Sequence, residues 1–253
     1  ATSLSCVVGG LLILFYFLFQ AHNLRFYRLK MTVTSLRLSL RNISYMVKIG
    51  LATFLSELAM GVMIITGNYA FLLMLGEPGV AAYSIGCYLF PILFSISNAV
   101  AQSAQPIISF NYGAGNHRRV RSALRLSLAT AIVCGIIVTF GMWAGAPMLS
   151  QLFISPVDNA YVIAANGLPL LGCCTVFFAL NITFIGYYQS IENAVRSTTY
   201  TLLRGIVLLV PCFLVLPSML GIPGLWLAVP AAEALTLVVI ILQYLRKHIH
   251  LHA

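Results

Sequence analysis

The sequence has very little charge. Only 8% of its 253 residues are Asp, Glu, Lys or Arg, and only five are acidic. A soluble domain carries about 25% charged residues, so an ordinary water-soluble globule is excluded. The six cysteines, Cys6, Cys87, Cys134, Cys173, Cys174 and Cys212, all fall in apolar runs and none has the spacing of a metal site. Adjacent Cys173 and Cys174 make a strained disulfide pair, so the cysteines read as small packing residues. The five histidines, His22, His117, His248, His250 and His252, lie outside the apolar runs. No His or Cys cluster and no nucleophile–base pair supports an intramembrane enzyme, so the reading is a non-enzyme without a metal or other cofactor. No basic residue precedes the first apolar run, which therefore lacks the pattern of a signal peptide. The chain starts with Ala1 rather than Met and reads as a fragment or a processed chain.

What the chain has instead is apolar length. Residues of the AVILMFWYC set make up 60% of it, and the mean hydropathy is +0.98. A membrane-crossing helix needs about 20 mostly apolar residues. Seven such runs are present, at 4–19, 47–75, 80–110, 123–144, 160–189, 200–216 and 222–245. They are continuous rather than alternating, which favours helices over a β-barrel. Breaks are expected at Gly76-Glu77-Pro78-Gly79, at 147–159 and at 217–223. The fold class is an all-α membrane protein of about seven helices.

All 14 Lys and Arg fall in alternate connections. Six lie in 20–48 (Arg25, Arg28, Lys30, Arg37, Arg41, Lys48) and four in 111–125 (Arg118, Arg119, Arg121, Arg125). Arg196 and Arg204 follow, then Arg246 and Lys247, and the opposite loops hold none. The positive-inside rule puts the basic loops and the C-terminus in the cytoplasm and the N-terminus of this chain outside. Topology accounts for the net charge of +9, so nucleic acid is not an expected partner.

Polar groups inside apolar helices are costly, about 2.5–3.5 kcal/mol for an Asp, Lys or Arg at a helix centre, and mark candidate sites. Glu57 lies nine residues after Lys48, roughly 14 Å deep and near the midplane. Thr53, Gly61 and Asn68 share its face by helical spacing. An acid there suits proton uptake or coordination of a small cation. Glu233 lies at similar depth, ten residues after Pro223, and Arg204 on the preceding helix is a candidate partner for a structural ion pair. Ser95, Asn98, Gln102, Gln105 and Ser109 form a stripe at intervals of three and four. Such a stripe faces either a wet cavity or a neighbouring helix. Asn98, Gln102 and Gln105 join Asn68 as cavity candidates. Asn181 is a further candidate, with Tyr187, Tyr188 and Gln189 as weaker pointers.

These residues carry a resemblance. Gln105-Pro106-Ile107-Ile108-Ser109-Phe110-Asn111-Tyr112-Gly113-Ala114-Gly115-Asn116 ends a helix and enters a basic loop. It resembles the segment after the eighth helix of the multidrug and toxic compound extrusion (MATE) family. Gly50 to Glu57 is similar to that family's seventh helix, and Pro211 and Leu225 to Glu233 to its last two. The resemblance implies a twelve-helix transporter of two six-helix lobes, of which this chain holds the C-terminal one. By it, 1–20 is the last helix of the N-terminal lobe and 21–46 a basic cytoplasmic linker. Residues 47–246 are then the C-terminal lobe and 247–253 a cytoplasmic tail, with the N-terminal lobe as a missing partner. It implies export of small amphiphilic or cationic drugs from the cytoplasm across the bacterial cytoplasmic membrane, in exchange for H⁺ or Na⁺ as coupling ion, with membrane lipids around it. Glu57 matches the family's seventh-helix acid. The Asp some members carry in the tenth helix has no counterpart in 160–189, Asp158 lying just outside. A lipid-linked saccharide flippase of the same superfamily is the alternative. A seven-helix receptor is a more distant one, since no Asn-Pro-x-x-Tyr occurs in the last helix.

Overall fold

The computed structural model describes residues 2–19 and 32–249. The chain divides into two compact units, Ala1–Met46 and Val47–Ala253. The first unit holds α1 (Thr2–Phe19), whose large apolar side chains, Leu4 to Phe19, are exposed along its length. Residues 20–31 of the expected linker, with His22, Arg25, Arg28 and Lys30, lie outside the described residues. From Val33 the chain is helical, and Thr32 caps this start by accepting a bond from the Ser35 amide at 3.3 Å.

Helical residues run from Val33 to Gly113 (α2) with one non-helical residue, Gly76 (φ 66°, ψ −156°). The chain doubles back there. Met63 and Tyr83, 20 residues apart, would be about 30 Å apart on a straight helix, yet the Tyr83 hydroxyl donates to the Met63 carbonyl at 3.2 Å. Phe71 stacks on Tyr83 with ring centroids 4.5 Å apart. The expected four-residue turn is thus tighter, a reversal at a left-handed glycine. Pro78 follows in the new helix's first turn, where its missing amide costs nothing. Residues 77–113 form the second arm of α2.

α3 (His117–Gln151) runs through Pro147, so the break expected from 147 begins only at Leu152. The expected single span at 160–189 is two helices, α4 (Asn159–Gly172) and α5 (Cys174–Ser190), bent by 42°. Pro169, without an amide donor, and Gly172 both sit in the turn before the break. The next span starts at Ala194 rather than 200. It comprises α6 (Ala194–Leu202), a π-helical turn (Leu203–Val207) and α7 (Leu209–Leu220). Pro211 cannot donate to the Val207 carbonyl, which helps explain the widened turn. α8 (Ile222–Ile249) closes the described fold.

By length and composition, four stretches among the described residues can cross a bilayer: Val33–Gly113, His117–Gln151, Ala194–Leu220 and Ile222–Leu245; the bent pair makes a fifth. Since α2 folds back at Gly76, it supplies two crossings to the second unit. Without water to drive apolar faces together, such helices associate through close packing of small residues. Any side chain on Gly167 of α4 would overlap Trp226 of α8, and one on Gly205 would overlap Ala59 of α2. Ile136, Ile137, Phe140 and Trp143 of α3 are exposed, as expected of a face turned to lipid.

Candidate functional site

The first arm of α2, its second arm and α5 meet around a cavity of about 540 Å³. Its polar lining is uncharged: Thr53, Ser56, Asn98, Gln102, Gln105, Ser109, Gln189 and Ser190. A relay of amides ties the three walls together. Gln105 Nε2 donates to Gln189 Oε1 at 3.2 Å, and Gln189 Nε2 donates to Thr53 Oγ1 at 3.1 Å. The cavity lies toward the end of the bundle that carries the arginines. There Arg196 sits over the Tyr188 ring, 5.4 Å from its centroid, and Tyr200 of α6 donates to Gln243 of α8 at 2.7 Å. The opposite end has the hairpin with Glu77 and the cap of α4, where Asp158 accepts from the Ala160 amide at 3.1 Å.

Glu57 follows Ser56 and lies one turn beyond Thr53, but it is not among the residues that line the cavity. Its side chain is exposed and makes no hydrogen bond or ion pair among the described residues.

The second acid is treated differently. Glu233 and Arg204 are both almost fully buried, at 4% and 6% side-chain exposure. Arg204 Nη2 donates to Glu233 Oε1 at 2.7 Å, and its Nε lies 3.1 and 3.2 Å from the two carboxylate oxygens. The guanidinium carbon sits 4.4 Å from the Phe178 ring centroid, a cation–π contact. Arg204 belongs to the π turn, and Gly205 beside it lets α2 approach. A void of about 30 Å³ borders the pair, with Ser56 and Phe94 lining both it and the larger cavity.

Among the cavity candidates, the structure brings Asn98, Gln102 and Gln105 to the wall together. Asn181 does not line it. It is fully buried, and its Nδ2 donates to the Glu233 carbonyl at 2.9 Å and to Oε2 at 2.7 Å. The carboxylate of α8 needs a donor from α5, and Asn181 supplies it. Asn68 is also off the wall. Its Nδ2 donates to Ile64 of its own helix at 2.9 Å, and its Oδ1 is buried with no partner among the described residues. Ser95 turns back to the Pro91 carbonyl. Ser56 and Ser190 were missed, being single hydroxyls without a periodic stripe of their own. Among the described residues, no three or more His, Cys, Asp or Glu are grouped to hold a metal.

Several helices long and apolar enough to cross a bilayer, with uncharged polar groups lining a cavity among them, are the architecture of a multi-pass membrane protein. The MatE family model matches residues 68–214, more than half the chain, and the chain belongs to that family of membrane transporters. A FAD transporter of Shewanella oneidensis is 26% identical over 166 residues, covering 66% of this chain and 36% of the relative. Among solved structures, an outward-facing MATE multidrug resistance transporter of the MOP superfamily matches with a TM-score of 0.81 at 19% identity. The match covers 93% of this chain and 52% of that one. A MOP superfamily transporter from Pyrococcus furiosus, described as having a binding pocket of reversed polarity, gives 0.79 at 19% identity, with the same coverage. These likenesses show the fold. The chain spans about half the length of the matched structures and about a third of the FAD transporter.

Proposed function

We propose that this chain is the C-terminal lobe, with one preceding helix, of a secondary transporter that exports amphiphilic or cationic small molecules in exchange for H⁺ or Na⁺. The observation that carries the reading is the uncharged polar cavity, with an acid on one of its helix arms that has no partner among the described residues. Glu57 is the coupling acid, and Asn98, Gln102, Gln105 and Gln189 contact substrate. Arg204, Glu233 and Asn181 hold α5, the π turn and α8 together. A second, N-terminal lobe forms the facing wall, and the two lobes expose the cavity alternately to each side. The arginine-rich end faces the cytoplasm of a bacterial cell. Coupling requires only that ion and substrate favour different states or compete for Glu57.

A second reading concerns the substrate. The Shewanella relative is named a FAD transporter, and a flavin dinucleotide is a large amphiphilic anion. The cavity wall of this lobe has no charged side chain, so it accommodates an aromatic, hydrogen-bonding solute of either charge. The absence of Lys and Arg from that wall speaks against the flippase alternative, whose lipid-linked saccharide carries phosphates.

The test is efflux from vesicles containing the complete two-lobed transporter, loaded with a cationic dye or with FAD. A pH or sodium gradient drives the flux. Gradient-driven flux that Glu57→Gln abolishes, in a protein that still folds, supports antiport through Glu57. Wild-type flux that survives Glu57→Gln unchanged refutes that role, and flux of FAD alone replaces the cationic reading with the anionic one.

A further inference from the structure

A second large concavity lies on the other side of α2's second arm, between that arm and α3. It has a volume of about 670 Å³ and no part in the polar cavity. Its walls are made of small side chains, among them Ala99, Ser103 and Ala104 of α2 and Ala123 and Ser127 of α3, with Arg119 at one end. On α3 the lining runs from Arg119 to Thr130. At about 1.5 Å per residue that is roughly 16 Å, or half of a hydrocarbon core about 30 Å thick. The groove is thus one leaflet deep and carries its charge at the headgroup end.

That charge has no protein counterpart. Residues 99–130 contain four arginines (Arg118, Arg119, Arg121 and Arg125) and no Asp or Glu. Among the described residues none of the four forms a salt bridge. The Arg119 amide is satisfied by the Asn116 side chain at 3.2 Å, while its exposed guanidinium has no hydrogen-bond partner among the described residues. An apolar slot of leaflet depth, with a guanidinium at its mouth that has no partner among the described residues, is complementary to one kind of molecule abundant around a membrane protein. Basic pockets between helices at the membrane surface suit anionic headgroups.

We propose that the groove between the second arm of α2 and α3 binds an anionic phospholipid, its phosphate at Arg119 and one acyl chain against Ala104 and Ala123. The occupant is a lipid rather than a soluble phosphate because most of the lining is apolar or small and only the mouth is charged. Lipid seated there bridges the cavity-bearing helix α2 to α3, so the leaflet's composition reaches one wall of the transport cavity.

The test uses the purified chain in detergent micelles, titrated with phosphatidylglycerol or phosphatidylcholine of equal chain length and read by native mass spectrometry. One well-placed arginine is worth about fivefold in affinity for an anionic surface. The expected result is retention of one phosphatidylglycerol, at least fivefold tighter than phosphatidylcholine. Arg119→Gln, an exposed position, should remove most of that preference. Ala104→Phe, which fills the slot and keeps the charge, should lower retention of both lipids. Equal retention of the two lipids by the wild type overturns the proposal. Competition by soluble glycerol phosphate as strong as by the lipid also overturns it, reducing the site to a headgroup contact. Retention unchanged in Ala104→Phe removes the acyl slot and with it the proposal.

Discussion

Glu233→Gln tests how the lobe holds a full charge pair in its core. The Glu233 carboxylate receives Arg204 Nη2 at 2.7 Å, Arg204 Nε at 3.1 and 3.2 Å, and Asn181 Nδ2 at 2.7 Å. A glutamine keeps one acceptor oxygen and turns an NH₂ toward groups that are themselves donors. Arg204 cannot shed its proton, so a cation with 6% exposure loses its counter-charge. Removing one partner of a buried pair costs about 3–5 kcal/mol. At about 2–4 °C per kcal/mol for a protein of this size, the melting midpoint falls by about 6–20 °C. Thermal unfolding in detergent, followed by circular dichroism, measures it. The double variant Arg204→Met/Glu233→Met removes both charges, and Asn181 keeps its bond to the main-chain carbonyl of residue 233. Replacing both ions by apolar side chains is often close to neutral, so the double variant should melt well above Glu233→Gln. A midpoint unchanged by Glu233→Gln, or a double variant as unstable as the single one, would refute this account of the pair.

Three further outcomes follow from the same geometry. Gln189→Leu breaks the links to both Gln105 and Thr53; cavity water re-satisfies them, so stability should change by under about 1 kcal/mol, while the KM for transport rises several-fold in vesicle assays. Gly167→Ala drives a methyl into the Trp226 ring and should cost about 1–3 kcal/mol by overpacking, read as a lower melting midpoint with altered Trp226 emission. Gly76→Ala forces a side chain to φ 66°, ψ −156°, a region that essentially only glycine occupies, at about 1–3 kcal/mol, read as a lower melting midpoint.

What was legible in the sequence was local. The stripe of Asn98, Gln102 and Gln105 was readable because helical spacing alone puts side chains three and four apart on one face, and it does line the cavity. Arg204 and Glu233 were readable as partners because one tight turn separates their antiparallel helices, which fixes how deep each lies. Asn181 was misjudged because a lone buried amide looks the same whether it faces a cavity or a carboxylate. Its partner lies 52 residues away, and no pattern within α5 encodes it. Asn68 shares a helical face with Glu57, but the cavity sits near the basic end of the bundle, several turns away. The link from Gln189 to Thr53 spans 136 residues and exists only once α5 is docked. The π turn had one hint, Pro211, and the break at Cys173 had Pro169. Proline marks a weak point in a helix without saying whether it bends, widens or breaks.

The two membrane-depth acids show why composition alone cannot assign a coupling role. Glu57 lies nine residues after Lys48 and Glu233 ten after Pro223, and each on its own is a candidate for ion uptake. Their surroundings separate them. Glu233 is held by a guanidinium through two nitrogens and by the Asn181 amide, in a site with almost no solvent exposure. Glu57 has no such partner, being exposed and without a hydrogen bond or ion pair among the described residues. Ser56, next to Glu57 in the chain, borders both the cavity and the void beside the pair. Exchange of one cation at Glu57 therefore alters the charge one residue along the chain from Ser56, which borders both the cavity and the locked pair. The proposed antiport needs that combination: one acid free to exchange its counter-ion, beside another that is not.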